Sequence, residues 1–473
     1  MYSLLILTVA SFLLALLLTP LIRDYSLRRG WVDEPDGGRK MHGRGIPRTG
    51  GLAILLSYLG AFAIVMAIGL RSRFLFDLEL VGRVAPAVAI IFVVGLIDDI
   101  FGLTPWQKLA GQLIAASVAF ASGVQVHVVG YHSLPGWLEL PATIFWLVMI
   151  TNAVNLIDGM DGLATGVALF ATLTMLVAGL QVKLIPLAMV LVPLAGALLG
   201  FLRYNFNPAT IFLGDCGSLT IGFVLGCMGI FWSQKSATML GVTAPLLALA
   251  IPLMDSVLAV IRRFLRRQPI FLADRGHVHH KLLDKGLSVR QAALLLYGVS
   301  LVFAILSLAS SVLRDSYAGI VLVLFGAVTW IGVQSLGYVE INMAGKLLLG
   351  GGFRRMLVGQ LVIRGFQEDL RGARDHDSVW LVVRNAAKEL GFERVTLQYR
   401  GRGFEVDLSR SAGDEWTVEV PIGAGDFVRL SRPFGINTHQ AAMGPFLDIL
   451  RSSLAANPLP AAPTAKVRAA FLE

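Results

Sequence analysis

Charge is scarce in this chain: only 15% of its 473 residues are charged, whereas 55% are hydrophobic and the mean hydropathy is +0.70. That balance excludes an ordinary soluble globular protein. Cysteine is scarcer still, since only Cys216 and Cys227 are present, each in or beside an apolar run. Two such residues exclude a disulfide framework and a cysteine metal site, and we expect them to pack in the interior.

Long apolar runs, by contrast, are abundant. Each is long enough to cross a bilayer as a helix. The hydropathy pattern predicts an all-α polytopic membrane protein with about eleven transmembrane helices, placed at 2–22, 49–70, 84–98, 107–122, 141–157, 163–180, 184–202, 217–233, 241–261, 291–310 and 317–337. The first run has neither a basic n-region nor a small-residue cleavage site, so we predict a retained anchor.

Lysine and arginine concentrate in two loops, at 23–48 and 262–290. Because basic loops stay in the cytoplasm, both should lie there, which places the N-terminus outside and the polar chain after 338 inside. The net charge of +9 is mostly this bias, and no nucleic-acid partner is expected from it. The predicted localisation is the cell (inner or plasma) membrane.

Four polar clusters interrupt the apolar pattern, each at a predicted cytoplasmic helix end. They are DD at 98–99, TNAVNLIDGMDGLATG at 151–166, RYNFNPATIFLGDCGSL at 203–219 and DRGHVHHKLLDKG at 274–286. Ionisable groups at membrane depth are costly and usually mark a functional site. One acidic pair is explained equally well by a helix that ends in solvated charge, but four clusters on one side favour a shared site.

The second and third clusters combine amides with carboxylates. Asn152, Asn155, Asp158 and Asp161 recur every three residues, which places neighbouring members on similar helix faces. Capping of the helix end by these side chains is the alternative. Asp215 begins an apolar helix, where a carboxylate either caps the helix or holds a divalent cation.

The fourth cluster places three histidines beside basic residues. Their spacing is too close for the i, i+4 zinc arrangement of a helix, so zinc is disfavoured. Basic side chains near carboxylates indicate instead an anionic substrate met by cations, with acids that hold Mg²⁺ to neutralise phosphate. The pattern therefore indicates phosphoryl chemistry at the membrane surface.

Four motifs carry a resemblance to a known family: GLIDDIFGL, NAVNLIDGMDGLATG, FLGDCGSL and RGHVHH, in that order. They resemble the polyprenyl-phosphate N-acetylhexosamine-1-phosphate transferases, of glycosyltransferase family 4 type. The early loop DEPDGGRKMHGRGIPRTGG resembles the branch that moves GlcNAc-1-phosphate from UDP-GlcNAc to undecaprenyl phosphate. That step initiates O-antigen, teichoic acid or related cell-envelope glycans, and the similarity covers roughly residues 1–338.

The resemblance implies roles for particular residues. Asp215 and Asn155 are implied to bind Mg²⁺, for which Mn²⁺ is an expected substitute. The residues implied to act in catalysis beside the phosphates are Asp98, Asp99, Asp158 and Asp161. The residues implied to bind substrate are Lys108, Asn152, Phe212, Arg275, His277, His279 and His280. Among them Lys108 matches a phosphate-contacting lysine and Phe212 an aromatic that stacks on uracil, although the residues alone would make Phe212 a core side chain.

The expected partners are a UDP-N-acetylhexosamine, undecaprenyl phosphate and the lipid bilayer, with a homodimer as one possible assembly. Three other functions are compatible with parts of this pattern. The UDP-MurNAc-pentapeptide phosphotransferase of peptidoglycan synthesis is the alternative within the family. An intramembrane aspartyl protease would leave the histidines and asparagines unexplained, and a transporter would place its polar groups near the bilayer midplane.

After Tyr338 the chain becomes polar, and we predict a small cytoplasmic α+β domain at 350–455 followed by a flexible tail at 456–473. DSVWLVVRNAAKELGF and HQAAMGPFLDILRSSLAA have the periodicity of helices, whereas ERVTLQYR, EWTVEVPI and DFVRLSR are typical of strands. The order loosely resembles GAF-type sensory domains. A docking or stabilising appendage is the preferred interpretation.

Overall fold

The structure is a computed structural model, and it describes residues 2–33, 45–68, 79–129, 132–235, 246–265, 276–312, 318–336, 365–408, 415–423, 425–433 and 440–456. The chain divides into two compact units, Met1–Gly337 and Tyr338–Glu473. The division falls where the sequence changes from apolar to polar.

The first unit is built almost wholly from helices. In chain order they are α1 (Tyr2–Arg29), α2 (Gly50–Ala67), α3 (Glu79–Phe101), α4 (Pro105–Ala121), α5 (Gly136–Leu156), α6 (Leu163–Gln181), α7 (Ile185–Asn205), α8 (Gly214–Lys235), α9 (Ala250–Leu265), α10 (Val278–Asp284), α11 (Val289–Val312) and α12 (Ala318–Ser335). Two short antiparallel ribbons connect them, β1 (Val32–Asp33) with β2 (Ile46–Pro47), and β3 (Val128–Val129) with β4 (His132–Ser133).

Among the described residues, eight helices are long and apolar enough to cross a membrane: α1, α2, α3, α5, α6, α7, α8 and α11. The chain is therefore a multi-pass membrane protein, but the predicted count of eleven is not confirmed. The other predicted spans correspond to α4 and α9, which have 17 and 16 residues, and to α12, within which Val323–Ser335 is a shorter apolar helical segment.

Helices α6, α7 and α8 form the centre of the first unit. The apolar spans of these three helices are 72%, 78% and 78% buried, whereas that of α1 is only 22% buried. Helix α8 packs against α2, α3 and α5, and α7 packs against α1 and α6. The buried Thr172 hydroxyl of α6 donates to the Ala168 carbonyl of the preceding turn at 2.7 Å, whereas the buried Thr165 hydroxyl donates to Asn205 Oδ1 of α7 at 2.7 Å and links the two helices.

Consecutive helices from α3 to α8 run in alternating directions, so the C-terminal ends of α3, α5 and α7 meet the N-terminal ends of α4, α6 and α8. We call this side of the first unit the acidic end, because Asp98, Asp158 and Asp215 lie there. The β1–β2 ribbon joins α1 to α2 at the same end, where the Ser26 and Thr49 hydroxyls lie 2.6 Å apart in a buried hydrogen bond.

The second unit contains a four-stranded antiparallel sheet in the order β6-β5-β8-β7. Its elements are α13 (His376–Glu389), β5 (Arg394–Tyr399), β6 (Arg402–Asp407), β7 (Glu415–Gly423), β8 (Asp426–Pro433) and α14 (Gln440–Ala456), preceded by a short helix at 365–372. Buried side chains from α13, the sheet and α14 share one core that includes Val383, Leu397 and Phe446.

Strand β6 was not predicted from the sequence. It forms a hairpin with β5 through a two-residue turn, and both turn residues, Arg400 and Gly401, have positive φ values of 48° and 86°. This backbone twist suits a tight hairpin. The strand lies at the edge of the sheet and carries charged side chains at alternate positions, such as Glu405 and Asp407, so its sequence has the composition of a loop.

Candidate active site

A cavity of about 340 Å³ opens at the acidic end of the first unit. All five aspartates that the sequence singled out line it: Asp98, Asp99, Asp158, Asp161 and Asp215. The other polar or aromatic side chains of its lining are Asp33, Arg48, Asn205, Asn207, Phe212 and His280. We call this space the acidic cavity.

Lys108 connects two of these carboxylates. Its ammonium Nζ lies 2.6 Å from Asp98 Oδ2 and also contacts Asp215 Oδ2. The three side chains are largely shielded, with 26%, 12% and 21% of their surfaces exposed for Lys108, Asp98 and Asp215. Helix α4 is started by Thr104, whose hydroxyl accepts from the Gln107 backbone N–H, and this capping box fixes the turn that carries Lys108.

Asp99 differs sharply from its neighbour Asp98. Its two carboxylate oxygens accept the backbone N–H groups of Asp215 and Cys216, each at 2.8 Å. Those groups belong to the first turn of α8, where helical N–H groups have no partner within the helix and the macrodipole favours negative charge. Asp99 therefore caps α8 and holds Asp215 at the cavity wall.

Two glycines allow this close approach. A Cβ atom on Gly95 of α3 would lie 2.6 Å from the Asp215 carbonyl oxygen and from Cys216 backbone atoms, which is closer than van der Waals contact allows. Gly214 has a φ of +74°, and a Cβ atom there would collide with the Arg48 carbonyl and lie 2.7 Å from Asp99 Oδ2. The Asp99 cap thus requires glycine at both positions.

Besides Lys108, the Asp215 side chain has a neutral partner, Asn155 of α5. The Asn155 side-chain Nδ2 donates to Asp215 Oδ1 and to Ser218 Oγ, both at 2.9 Å. The Ser218 hydroxyl therefore accepts from Asn155 and also donates to the Gly214 carbonyl at 2.9 Å. Asn155, Asp215 and Ser218 therefore tie α5 to the start of α8.

Asp158 and Asp161 lie between α5 and α6, but their surroundings differ. Asp161 Oδ2 accepts from the Asn207 side chain at 2.9 Å and from the Ala209 backbone N–H at 3.0 Å, so it orders the loop that follows α7. Burial, reinforced by the charges of Asp215, Asp99 and Asp161, raises the pKa of Asp158 well above its usual range. Asp158 thus favours its protonated form.

The histidine segment begins at α10 and packs beside the Asp158 loop. His279 is 2% exposed, and neither of its ring nitrogens has a hydrogen-bond partner among the described residues. Burial, followed by the neighbouring His280, lowers the pKa of His279 to about 3, so its imidazole is neutral. A Cβ atom on Gly159 would lie 2.8 Å from His279 Nε2, which shows how closely the ring approaches the cavity-lining loop.

Asp255 of α9 anchors this segment and was missed by the sequence reasoning. Its carboxylate lies 3.0 Å from His277 Nδ1 and accepts the Val278 backbone N–H at 2.9 Å, and it is only 1% exposed. A single aspartate within the apolar stretch AIPLMDSVLAV was the available signal, since an ionisable residue inside a predicted span usually has a function.

Two of the predicted substrate-binding residues, Asn152 and Arg275, are not placed at the acidic cavity by the described part of the structure. Asn152 is not among the residues that line the acidic cavity. It exchanges hydrogen bonds with Gln112, at 2.5 and 3.2 Å, and so links α4 to α5. Arg275 lies outside the described residues. Phe212, by contrast, lines the cavity. Its backbone N–H donates to the Pro47 carbonyl of β2, and its carbonyl accepts from the Gly50 N–H at the start of α2.

The β1–β2 ribbon contributes an ion pair that was not predicted. Arg48 pairs with Asp33, and both side chains line the acidic cavity. The cavity wall as a whole carries six carboxylates against Arg48, with Lys108 contacting two of them. A phosphate could enter only if cations or protons neutralise part of this negative charge.

The donor set fits a magnesium-type cation. Among the described residues no group of three His, Cys, Asp or Glu side chains is arranged around a common metal position. Mg²⁺ needs only one or two carboxylates, because water and phosphate oxygens complete its shell. Asp215 and Asp98 offer such oxygens on either side of Lys108. Asn155 fits less directly, since its Nδ2 and not its carbonyl oxygen faces Asp215.

Carboxylates, a lysine and histidines converge at one end of this membrane helix bundle, an arrangement suited to phosphoryl transfer. Residues 83–233 match the model of glycosyl transferase family 4. The chain is 35% identical to a probable undecaprenyl-phosphate N-acetylglucosaminyl 1-phosphate transferase of Bacillus subtilis, in an alignment that covers 63% of this chain and 82% of the relative.

Two further relatives show the breadth of this similarity. A decaprenyl-phosphate N-acetylglucosaminephosphotransferase of Mycobacterium tuberculosis is 33% identical over 67% of this chain and 84% of the relative. A phospho-N-acetylmuramoyl-pentapeptide-transferase of Shouchella clausii is 29% identical over 64% of this chain and 96% of the relative. The chain belongs to glycosyl transferase family 4, among the polyprenyl-phosphate N-acetylhexosamine-1-phosphate transferases.

Proposed function

We propose that this protein transfers GlcNAc-1-phosphate from UDP-GlcNAc to undecaprenyl phosphate, giving undecaprenyl-pyrophosphoryl-GlcNAc and UMP. The observation that carries the proposal is that Asp98 and Asp215 line one cavity at the ends of membrane helices and that Lys108 contacts both carboxylates. The names of the more similar relatives support GlcNAc as the sugar. The reaction would begin a cell-envelope glycan such as O-antigen or teichoic acid.

In this reaction an oxygen of the lipid phosphate attacks the β-phosphorus of UDP-GlcNAc. The bond between that phosphorus and the oxygen bridging the two phosphates breaks, and the bridging oxygen leaves with UMP. Catalysis of such a step depends on positioning and on stabilising the charge of the transferring group. We favour direct attack by the lipid phosphate over a covalent enzyme intermediate.

Lys108 is suited to the phosphates, because its ammonium group is held by Asp98 and Asp215, two carboxylates that line the acidic cavity. Asp98 is placed to orient the lipid phosphate or accept its proton. Mg²⁺ bound at Asp215, or Mn²⁺ in its place, would neutralise charge on the pyrophosphate. Asp99 acts through α8 and does not need to touch substrate.

The remaining cavity residues are suited to the nucleotide sugar. Phe212 offers a ring at the cavity wall for uracil. His279 offers a neutral, buried imidazole whose nitrogens have no hydrogen-bond partner among the described residues, and His280 lines the cavity itself. Asp158, whose charged form is disfavoured by burial and by the neighbouring carboxylates, is suited to donate a hydrogen bond to the substrate. The UDP-sugar is a cytoplasmic metabolite, so we place the acidic end and the second unit in the cytoplasm.

The second candidate is transfer of phospho-MurNAc-pentapeptide, which the name of a more distant relative supports. The two are separated by giving purified protein undecaprenyl phosphate, Mg²⁺ and labelled UDP-GlcNAc, UDP-GalNAc or UDP-MurNAc-pentapeptide. We expect labelled lipid from UDP-GlcNAc and equimolar UMP. Labelled lipid from the MurNAc donor alone would favour the second candidate, and labelled lipid from no donor would exclude both.

A further inference from the structure

Tyr297 of α11 lies in a notch that two glycines leave at the start of α6. A Cβ atom on Gly166 would lie 2.1 Å from Tyr297 Cζ, far inside van der Waals contact, and one on Gly162 would lie 3.3 Å from the tyrosine hydroxyl oxygen. The rings of Phe170 and Phe206 lie nearby, with centroids 5.9 and 6.3 Å from that of Tyr297. The position of the tyrosine ring therefore depends on the missing side chain at Gly166.

The hydroxyl group of Tyr297 donates to the Gly162 carbonyl at 2.6 Å. Gly162 directly precedes α6 and has a φ of +72°. The same carbonyl accepts the Gly166 N–H of the first helical turn at 2.9 Å, which is possible because a carbonyl oxygen has two lone pairs. This one hydrogen bond thus joins α11 to the point at which a loop becomes a helix.

The loop that ends at this carbonyl forms part of the acidic cavity. It comprises residues 157–162, and we call it the α5–α6 loop. Four consecutive residues of the loop line the cavity: Asp158, Gly159, Met160 and Asp161. Asp161 is bonded to the segment after α7, and His279 packs closely on Gly159. Tyr297 adds a contact from α11 at the end of the loop.

The groups around Lys108 come from other elements. Asp98, Lys108 and Asp215 belong to α3, α4 and α8. Asp158, which is suited to donate to the nucleotide sugar, belongs to the α5–α6 loop. A loosened loop should therefore weaken binding of the nucleotide sugar and leave the Lys108 contacts in place.

We infer that Tyr297 is a positioning residue, whose hydroxyl group holds the α5–α6 loop in the conformation that binds the nucleotide sugar. The inference rests on the proposed function. Tyr297 is not among the described residues that line the acidic cavity, so it acts through Gly162 and does not need to touch the substrate. Removal of the hydroxyl group alone should then reduce the affinity for UDP-GlcNAc.

A matched pair of tyrosine variants tests this role in the full chain in detergent. Tyr297→Phe removes the hydrogen bond to Gly162 and keeps the ring. Tyr204→Phe is the control, because the Tyr204 hydroxyl of α7 likewise donates to a carbonyl of another helix, that of Leu16 in α1, at 2.9 Å. Both variants therefore lose one hydrogen bond between helices, but only Tyr297→Phe loses a contact with the α5–α6 loop.

We expect Tyr297→Phe to raise the KM for UDP-GlcNAc about fivefold, the usual effect of one lost hydrogen bond. Its kcat, its KM for undecaprenyl phosphate and its Mg²⁺ requirement should be nearly unchanged. Hydrogen exchange should become faster in peptides that cover the α5–α6 loop, since local opening of the loop costs less. Tyr204→Phe should change neither the kinetic constants nor the exchange of this loop.

A second pair of variants tests the notch independently. Gly166→Ala should displace the tyrosine ring and raise the KM for UDP-GlcNAc at least as much as Tyr297→Phe does. In a Tyr297→Ala background no ring meets the new methyl group, so Gly166→Ala should have little further effect. Additive effects of the two changes on this KM would overturn the inference.

Three results with the phenylalanine variants would also overturn it: an unchanged KM for UDP-GlcNAc in Tyr297→Phe, a raised KM without faster exchange of the loop, or equal losses in both variants. Failure of the proposed function would look different, since the unaltered protein would then make no lipid-linked sugar from any donor. In that case the exchange measurement would still decide whether the Tyr297 hydroxyl group holds the α5–α6 loop.

Discussion

Replacing Asp99 with alanine should destabilise α8 more than the same change at Asp98. Without the Asp99 carboxylate, the backbone N–H groups of Asp215 and Cys216 lose their acceptors. A buried donor left unsatisfied costs about 1–3 kcal/mol, so the two together cost about 2–6 kcal/mol. Asp98→Ala removes the acceptor of one N–H group, that of Leu103, which lies in a loop.

An opposing effect has to be subtracted. Asp99 shares the acidic cavity with other carboxylates, so its removal also relieves repulsion. For one like-charged pair about 6 Å apart, at an effective dielectric constant near 20, that relief is about 3 kcal/mol. The net expectation for Asp99→Ala is a loss of about 1 kcal/mol, with an upper bound of about 3 kcal/mol, whereas Asp98→Ala should be close to neutral or slightly destabilising.

The cysteines offer an assay specific to α8. Cys216 and Cys227 are both free and buried, they lie in α8, and the chain has no others. A thiol-reactive fluorophore added during heating therefore reports the opening of this helix. Asp99→Ala should lower the temperature of labelling by about 1–3 °C relative to Asp98→Ala. Equal labelling temperatures would refute the capping role and return Asp99 to the group of residues that act on substrate.

Three further predictions follow from the acidic cavity and its surroundings. Asp215→Asn should lower transfer by orders of magnitude and shift the Mg²⁺ or Mn²⁺ requirement upward, while Asp98→Asn should lose rate with near-normal metal dependence. Asp255→Ala should raise the KM for UDP-GlcNAc more than it lowers kcat, because it releases the backbone and ring of the His277 turn. Asp158→Asn should raise the unfolding temperature of the metal-free, substrate-free protein near pH 8, with a gain that fades as the pH falls towards 4.

The sign of the Asp158 prediction follows from linkage. Its pKa is raised in the folded state, so the native protein loses stability as the pH rises from the unfolded value of about 4 through the folded one. Asparagine carries no such penalty. A variant that is less stable than the unaltered protein at pH 8 would contradict the raised pKa.

Different results would contradict the predictions for Asp215 and Asp255. Unchanged Mg²⁺ dependence in Asp215→Asn would make Asp215 a structural residue only. For Asp255, the conservative variant Asp255→Glu is the control, since it keeps an acceptor for His277 and should recover part of the UDP-GlcNAc affinity. Equal losses in kcat and KM for alanine and glutamate would indicate a general folding defect instead.

Much of the site could be predicted because its residues break a strong pattern. Aspartates at the ends of apolar helices are conspicuous, and antiparallel spans bring alternate ends to one side, so all five converge on the acidic cavity. Asp255 was not predicted, because it lies in the middle of a helix and its role depends on the contact with His277. That residue is 22 positions away at the start of α10, and the sequence does not reveal that the two are close in space. Strand β6 escaped because an edge strand with charged side chains has the composition of a loop.

Hydropathy by itself determined the membrane class, the approximate position of most helices and the change to a polar unit after Tyr338, since those depend only on local composition. It did not determine how many helices span the membrane. Only the tertiary structure shows that Asp98 and Asp99 have different partners. Adjacent residues on a helix point in directions about 100° apart, so one carboxylate meets Lys108 while the other meets the start of α8. Which neighbour lies in each direction depends on how α3, α4 and α8 pack.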